Sequence, residues 1–346
     1  MRDSIPAMSH ITTLILALTL AAAGCAQPCP FDDDPALDLS ETLCSWEDHA
    51  DNPLVEPPTG QFLIGDPTVV PPARAPDGRW HMFANSLFGV HHLTSSDGTK
   101  WTRTGAALFG AMAFRAFVIK EGATFYLFFE KIVAGESSIK VSTSDDLYIW
   151  SVGVEVLKPD LPWEKEGTAT VSNPYVFKKD GDFWLYHSAG GVWLADAGVF
   201  EPKYIGLAQA KKITGPYVKE GKPLISPDKA DPLRNLGAGS IKLMDHKMGG
   251  RYVALSNGIY ADAKGKTRSA IMVLQSEDAR AWKKVCPGSG AVISPTDSGW
   301  KAALVYGFDT EVVGDELRAY YNARDGWAPA VERIGLSTCD LGCEAP

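Results

Sequence analysis

The sequence predicts an all-β fold, a five-bladed β-propeller with four-stranded antiparallel blades. Three observations carry this. One two-strand unit recurs five times, an Asp-x-x-x-Trp turn closes several units, and convincing amphipathic helices are absent. The units start 49, 58, 65 and 71 residues apart, and repeats of about 50 to 70 residues, each holding four strands, are the signature of a propeller. Ring closure also removes the exposed edges that an open sheet of about 20 strands would present.

The units follow one pattern: a short strand, a Gly/Asp turn, then an aromatic strand. They start at Asp66, Arg115, Asn173, Ala238 and Asp309. Their second strands run Trp80–Asn85, Phe125–Glu130, Phe183–His187, Tyr252–Asn257 and Leu317–Asn322. The turns Asp97–Trp101, Asp146–Trp150 and Asp278–Trp282 each follow a Ser/Thr-rich strand, which predicts a Trp packed between blades. The third unit carries Thr214-Gly-Pro-Tyr217 at that place.

Upstream, Ile11–Gly24 is an apolar run too short to span a bilayer and reads as a signal-peptide core. It ends Ala22-Ala23-Gly24-Cys25, like a bacterial lipobox, which makes Cys25 the expected lipidation site. The chain therefore divides into a signal peptide (1–25), a linker and N-terminal arm (26–55) and the propeller (56–346). The expected location is the bacterial periplasm or cell surface, with membrane contact only through the lipid anchor. Five further cysteines, Cys29, Cys44, Cys286, Cys339 and Cys343, cluster near both ends and suit an oxidising compartment. Their pairing is open, and one must be left over. No CxxC pair suggests zinc, and no cofactor is expected. The net charge of −9 is spread along the chain and excludes the clustered basic surface of a nucleic-acid binder. A monomer is expected.

With Gly65-Asp66-Pro67-Thr68-Val69-Val70, the Asp97-Gly-x-x-Trp101 turn and the Gly-Pro-Tyr of unit three on the page, the chain resembles glycoside hydrolases of the family 43 and 32 superfamily over roughly residues 50–338. It also resembles a less characterised branch, through Ser188-Ala-Gly-Gly, Glu201-Pro-Lys-Tyr-Ile205 and Asn257-Gly-Ile-Tyr260 with Arg268-Ser-Ala-Ile271. The resemblance implies cleavage of a glycosidic bond in a plant- or algal-type saccharide. It also implies three carboxylates: a base starting blade 1, a pKa-tuning Asp starting blade 3 and a general acid Glu starting blade 4. Asp66 matches the first. Position 173 is Asn, and unit four reads Gly237-Ala-Gly-Ser240, so two of the three are missing at their usual places. The resemblance allows a calcium ion on the axis, which no ligand run in the sequence demands.

In a propeller, first-strand starts and second-strand ends converge on one mouth. The first set is Asp66, Arg115, Asn173, Ala238 and Asp309. The second is Asn85, Glu130, His187, Asn257 and Asn322. All but Ala238 are polar, as a funnel for a polyhydroxylated ligand requires; satisfied strand-end turn residues are the plainer reading. Hydrolysis needs a base and an acid. Asp66 is the base. Glu130 and Glu201 are the acid candidates, against an ion pair of Glu130 with Arg115 or Lys131 and a surface-loop role for Glu201. Glu164 and Glu166 read as solvated. Of His91 and His92, at most one faces the funnel, because neighbours on a strand point to opposite faces. Arg115 suits an acidic sugar. Arg115 and Arg268 suit phosphate, if the chain is phosphorolytic. A non-catalytic carbohydrate-binding propeller and a protein-interaction propeller are the remaining alternatives.

Overall fold

The computed structural model describes residues 29–346; the expected signal peptide and Cys25 lie outside them. Three four-stranded antiparallel sheets form blades 1 to 3, and blades 4 and 5, each antiparallel within itself, are joined into one sheet by a single parallel pairing of Ser269 with Leu304. Blade 1 comprises Gly65–Val70, Trp80–Ser86, Gly89–Ser95 and Thr102–Arg103. Blade 2 comprises Ala113–Glu121, Thr124–Val133, Glu136–Ser144 and Val154–Leu157. Blade 3 comprises Val171–Lys179, Asp182–Ala189, Tyr204–Ala210 and Val218–Lys219. Blade 4 comprises Gly237–Leu243, Tyr252–Ala261, Thr267–Ser276 and Lys283–Lys284, with Ala291–Ile293 also on its third strand.

Blade 5 takes three strands from the end of the chain, Leu304–Val313, Glu316–Arg324 and Glu332–Asp340. Its fourth is Glu47–Asp48, paired antiparallel with Ser337 and Thr338. The segment read as an arm thus supplies the closing strand of the ring. Asn52 reinforces it, donating from Nδ2 to Leu336 O (2.7 Å) and accepting from Leu336 N (2.9 Å). Leu39 and Leu43 bury into the apolar cluster of blades 4 and 5. Disulfides Cys29–Cys343 and Cys44–Cys286 tie the same segment down, leaving Cys339 free and buried.

The Asp-x-x-x-Trp turns have one construction. Asp97, Asp146 and Asp278 each accept two backbone N–H groups of the turn and the hydroxyl of the serine two residues earlier, at 2.8–3.0 Å. The Trp then lies against an aromatic residue of the preceding blade: Trp101 on Tyr320, Trp150 on Phe83, Trp282 on Tyr186. A short polar side chain caps the turn and an aromatic one cements the blades.

The first strands share a second construction. Each breaks register once, over Asp66-Pro67, Arg115-Ala116, Asn173-Pro174, Gly239-Ser240 and Tyr306-Gly307. Such bulges re-aim side chains. Asp66, Arg115 and Asn173 sit at φ of 49°, 53° and 46°, a region side-chain-bearing residues seldom occupy. The repeat corrects the expected register of two units. The fourth equivalent residue is Gly239, one after Ala238. The fifth is Tyr306, three before Asp309, because the strand begins at Leu304. Asp309 therefore lies deeper in the channel, toward the opposite opening.

Candidate active site

The bulges of blades 1, 2 and 5 open onto a cavity of about 880 Å³ at one end of the channel, a volume within the range of small-molecule sites. Asp66, Asn85, Arg115, Glu201, Tyr306, Arg324 and Glu332 border it, under an apolar lip that includes the exposed Phe62, Leu87 and Phe200.

Asparagines hold two of the bulges. Asn322 Oδ1 accepts the N–H of Asp66 (3.0 Å), and Asn85 Oδ1 accepts that of Arg115 (2.6 Å). Gly307 lets the blade 5 backbone approach, since a Cβ there would overlap Asp66 Oδ1 and Asn322 Oδ1. Asn173 donates to Ser188 Oγ (3.1 Å) and Gly239 O (3.3 Å), and Asn257 Oδ1 accepts from Ser240 N (2.7 Å) and Oγ (3.0 Å). These two border a narrow pocket with Asp66, Arg115 and Glu201.

Glu201 arrives from a hairpin, Val192–Leu194 and Val199–Glu201, inserted between the second and third strands of blade 3. The hairpin leans across the start of blade 4. A Cβ on Gly237 would overlap Pro202 O, so the missing side chain is what admits it. Leu194 and Ala197 pack on Ile259, Ala303 and Leu304, with Tyr306 and Trp327 alongside. Asp196 accepts the N–H of Thr267 (2.9 Å). The hairpin is anchored to blades 4 and 5, so its apolar contacts fix where Glu201 stands. Burial pushes the Glu201 carboxyl up to about 7; Asp66 and Glu130 add to the rise, and Arg115 and Arg324 oppose it.

Glu332, which opens the third strand of blade 5, is the residue the sequence reading missed, together with Tyr306 and Arg324. Its Oε1 accepts from Asn322 Nδ2 (2.7 Å) and its Oε2 from the Tyr306 hydroxyl. Burial pushes it up to about 8, with Asp66 adding and Tyr306 and Arg324 opposing. Nothing local in the sequence marks it: only the register break at Tyr306-Gly307, aligned with the other bulges, brings the blade 5 strand ends to the mouth.

Several expected residues stand elsewhere. Glu130 is 1% exposed and outside the cavity lining. Its Oε2 receives Arg115 Nη1 (2.5 Å) and its Oε1 receives Ser137 Oγ (2.9 Å), so it neutralises Arg115 and does not meet a ligand. Burial acts against the Arg115 charge, but Glu130, Asp66 and Glu201 hold it firmly cationic. Glu164, read as solvated, is fully buried. It accepts from Lys219 Nζ (2.7 Å) and two backbone N–H groups, and pairs with His187 Nε2 (3.0 Å), which takes His187 away from the mouth. Glu166 is half exposed. His91 binds Ser86 Oγ (2.9 Å) and His92 stacks beside His81, so neither borders the cavity. Arg268 pairs with Asp262 (3.3 Å) and lies over the Trp327 ring (4.8 Å), behind the blade 5 loop. Asp309 accepts Thr68 Oγ1 (2.7 Å) and Val69 N (2.9 Å) and faces Lys242 (3.3 Å). Among the described residues, no three His, Cys, Asp or Glu side chains are arranged to hold a metal ion.

No family model matches the chain. No curated protein matches it either. Solved structures do match. One is an α-L-arabinofuranosidase from Podospora anserina in complex with cellotriose, with a TM-score of 0.61 and 14% identity over 87% of this chain and 99% of that one. Another is an α-L-arabinanase from Cellvibrio cellulosa complexed with arabinohexaose, with a TM-score of 0.58 and 14% identity over 80% and 91%. A third is described under the GH130 family of mannoside phosphorylases, containing glycoside hydrolases that target β-1,2 mannosidic linkages in Candida mannan. Its TM-score is 0.59, with 13% identity over 84% and 93%. The structural neighbours are thus glycosidase and phosphorylase propellers, as the sequence resemblance implied, and at these identities the likeness establishes the fold.

Proposed function

We propose that this chain is a glycoside hydrolase in which Asp66 is the base and Glu201 has taken over the general acid's place. The observation that carries the reading is the position of Glu201. Blade 4 offers no side chain at Gly237 or Gly239, and the hairpin laid against that gap brings a carboxyl to the same pocket as Asp66. A half-buried carboxyl raised to about 7 is protonated in a substantial fraction of molecules at neutral pH and can give that proton up.

The step is a single displacement. Glu201 gives its proton to the glycosidic oxygen as the C1–O bond breaks. Asp66 takes a proton from the water that bonds to C1 on the opposite face. The anomeric centre inverts, and proton exchange with solvent resets both groups. Glu332 and Tyr306 supply hydrogen-bonding groups at the cavity wall, and the apolar lip covers the sugar's hydrophobic face. A plant- or algal-type saccharide is favoured by the arabinan-related names among the structural matches. Lipid anchoring at a bacterial cell surface or in the periplasm is proposed from residues 11–25 alone, and a monomer from the closed ring.

A binding-only reading is favoured by Asn173 and Gly239 at two positions where the resembled family keeps carboxylates. The two readings separate in a screen of purified protein against oligosaccharides and aryl glycosides, with Asp66→Asn alongside. Sugar release abolished by the substitution supports hydrolysis. Glycan binding by both proteins without release supports the binding-only reading.

A further inference from the structure

We propose that Arg324 forms an oxyanion subsite in the mouth, and that the sugar bound there carries a carboxylate or sulfate. The inference rests on the reading of the mouth as a carbohydrate site and adds the charge of its ligand.

Arg324 ends the second strand of blade 5 and borders the cavity. Its guanidinium donates one hydrogen bond, from Nη2 to Trp327 O (2.6 Å), and among the described residues no carboxylate lies within 4 Å of it. Glu201 acts on Arg324 across the cavity without forming an ion pair with it, and the other neighbouring acids are engaged elsewhere. Asp325 binds Arg333 Nη1 (2.9 Å) and the N–H of Val331 (2.8 Å). Glu332, paired with Arg324 across the strands, is taken by Asn322 and Tyr306. Arg115, the other guanidinium at the cavity, is neutralised by Glu130.

A guanidinium offers five N–H donors in a planar fork that matches a carboxylate, sulfate or phosphate edge. The Trp327 carbonyl uses one donor and steadies the group. The rest have no protein partner and border open space. The chain's net charge of −9 does not steer anions toward the mouth, so a preference for them has to arise at this cation.

The test is calorimetric binding at constant ionic strength. The ligands are oligosaccharides ending in glucuronate or galacturonate, their neutral counterparts, a sulfated oligosaccharide, inorganic phosphate and inorganic sulfate. The proteins are wild type, Arg324→Gln and Arg324→Lys, each checked for an unchanged melting temperature. The charged sugars should bind roughly tenfold or more tighter than the neutral ones. That advantage should vanish in Arg324→Gln and partly survive in Arg324→Lys. Equal binding of charged and neutral sugars by wild type, or a preference that survives in Arg324→Gln, overturns the subsite. Arg324-dependent binding confined to inorganic phosphate or sulfate identifies a free anion and overturns the claim that the sugar carries it. Binding of no sugar at all sinks the carbohydrate reading itself, whereas binding of neutral sugars alone sinks only the subsite.

Discussion

The two ends of the central channel hold similar residues in opposite condition. At the mouth, Asp66, Glu201, Glu332 and Arg324 surround about 880 Å³ of open space with no ion pair among them, and burial has pushed two of the acids up to about 7 and 8. At the other end, a cavity of about 300 Å³ is bordered by Arg74, Asp245, Asp309 and Glu311. There each acid has a cation as partner, although burial raises the Glu311 carboxyl as well, against the opposing charge of Arg74. Arg74 bridges Asp245 (2.9 Å) and Glu311, and Lys242 faces Asp309 (3.3 Å). These contacts tie the loop after the first strand of blade 1 to blades 4 and 5. The same residue types serve cohesion where they are paired and chemistry where they are left unpaired. Charged residues in a propeller channel therefore have to be sorted by partner before they are assigned a role.

Exchanging the roles of the two ends is the sharpest way to break this contrast. Asp66→Asn should lower the rate of sugar release by about 10²–10⁴-fold while leaving the melting temperature nearly unchanged, because it removes a base and no ion pair. Steady-state kinetics and thermal unfolding on one preparation check both halves. Asp309→Ala should do the reverse. It strands a buried lysine, the Thr68 hydroxyl and the Val69 N–H, at a loss of about 3–5 kcal/mol in denaturant unfolding, with kcat/KM of the folded protein unchanged. A loss of turnover there without a loss of stability would erase the distinction.

A smaller effect tests the mouth by pH. Glu332 is raised from an ordinary 4.5 to about 8 by burial, with Asp66 beside it and Tyr306, Arg324 and Glu201 facing it. The folded state thus holds this proton more tightly than the unfolded chain. The resulting stability is fully present below about pH 4.5 and is lost as pH rises through 8, by on the order of several kcal/mol. Glu332→Gln should flatten the fall in melting temperature between pH 5 and 9. An unchanged slope would mean that this acid is not held protonated.

The propeller was legible because its cues are local and periodic. The turn aspartates bind backbone two and three residues on, and the strands alternate by twos. The first three unit starts, Asp66, Arg115 and Asn173, were legible for the same reason, although the bulges on which they sit were not. The fifth was misplaced because Asp309-Thr-Glu-Val-Val imitates Asp66-Pro-Thr-Val-Val, and the fourth because Gly239 has no side chain to mark it. The closing role of Glu47–Asp48 was hidden, since two residues carry no periodicity. At the site, Asp66 and Glu201 could be named from sequence, whereas what distinguishes Glu130 from Glu201 is through space. One is neutralised by Arg115 fifteen residues upstream, and the other is held on a hairpin by blade 4 and blade 5 contacts. Glu332 had no local cue, because its place depends on Asn322 and Tyr306 of the neighbouring strands.

The measurement closest to the central claim compares leaving groups in Glu201→Gln. With a substrate from the screen in hand, wild type and variant would be assayed on a natural linkage, whose departing oxygen needs a proton, and on a dinitrophenyl glycoside, whose departing oxygen does not. The account predicts a loss of about 10²–10⁴-fold on the first, near-normal turnover on the second, and disappearance of the wild-type decline in activity above about pH 7. Equal losses on both substrates, with the decline above pH 7 retained, would contradict Glu201 as the acid.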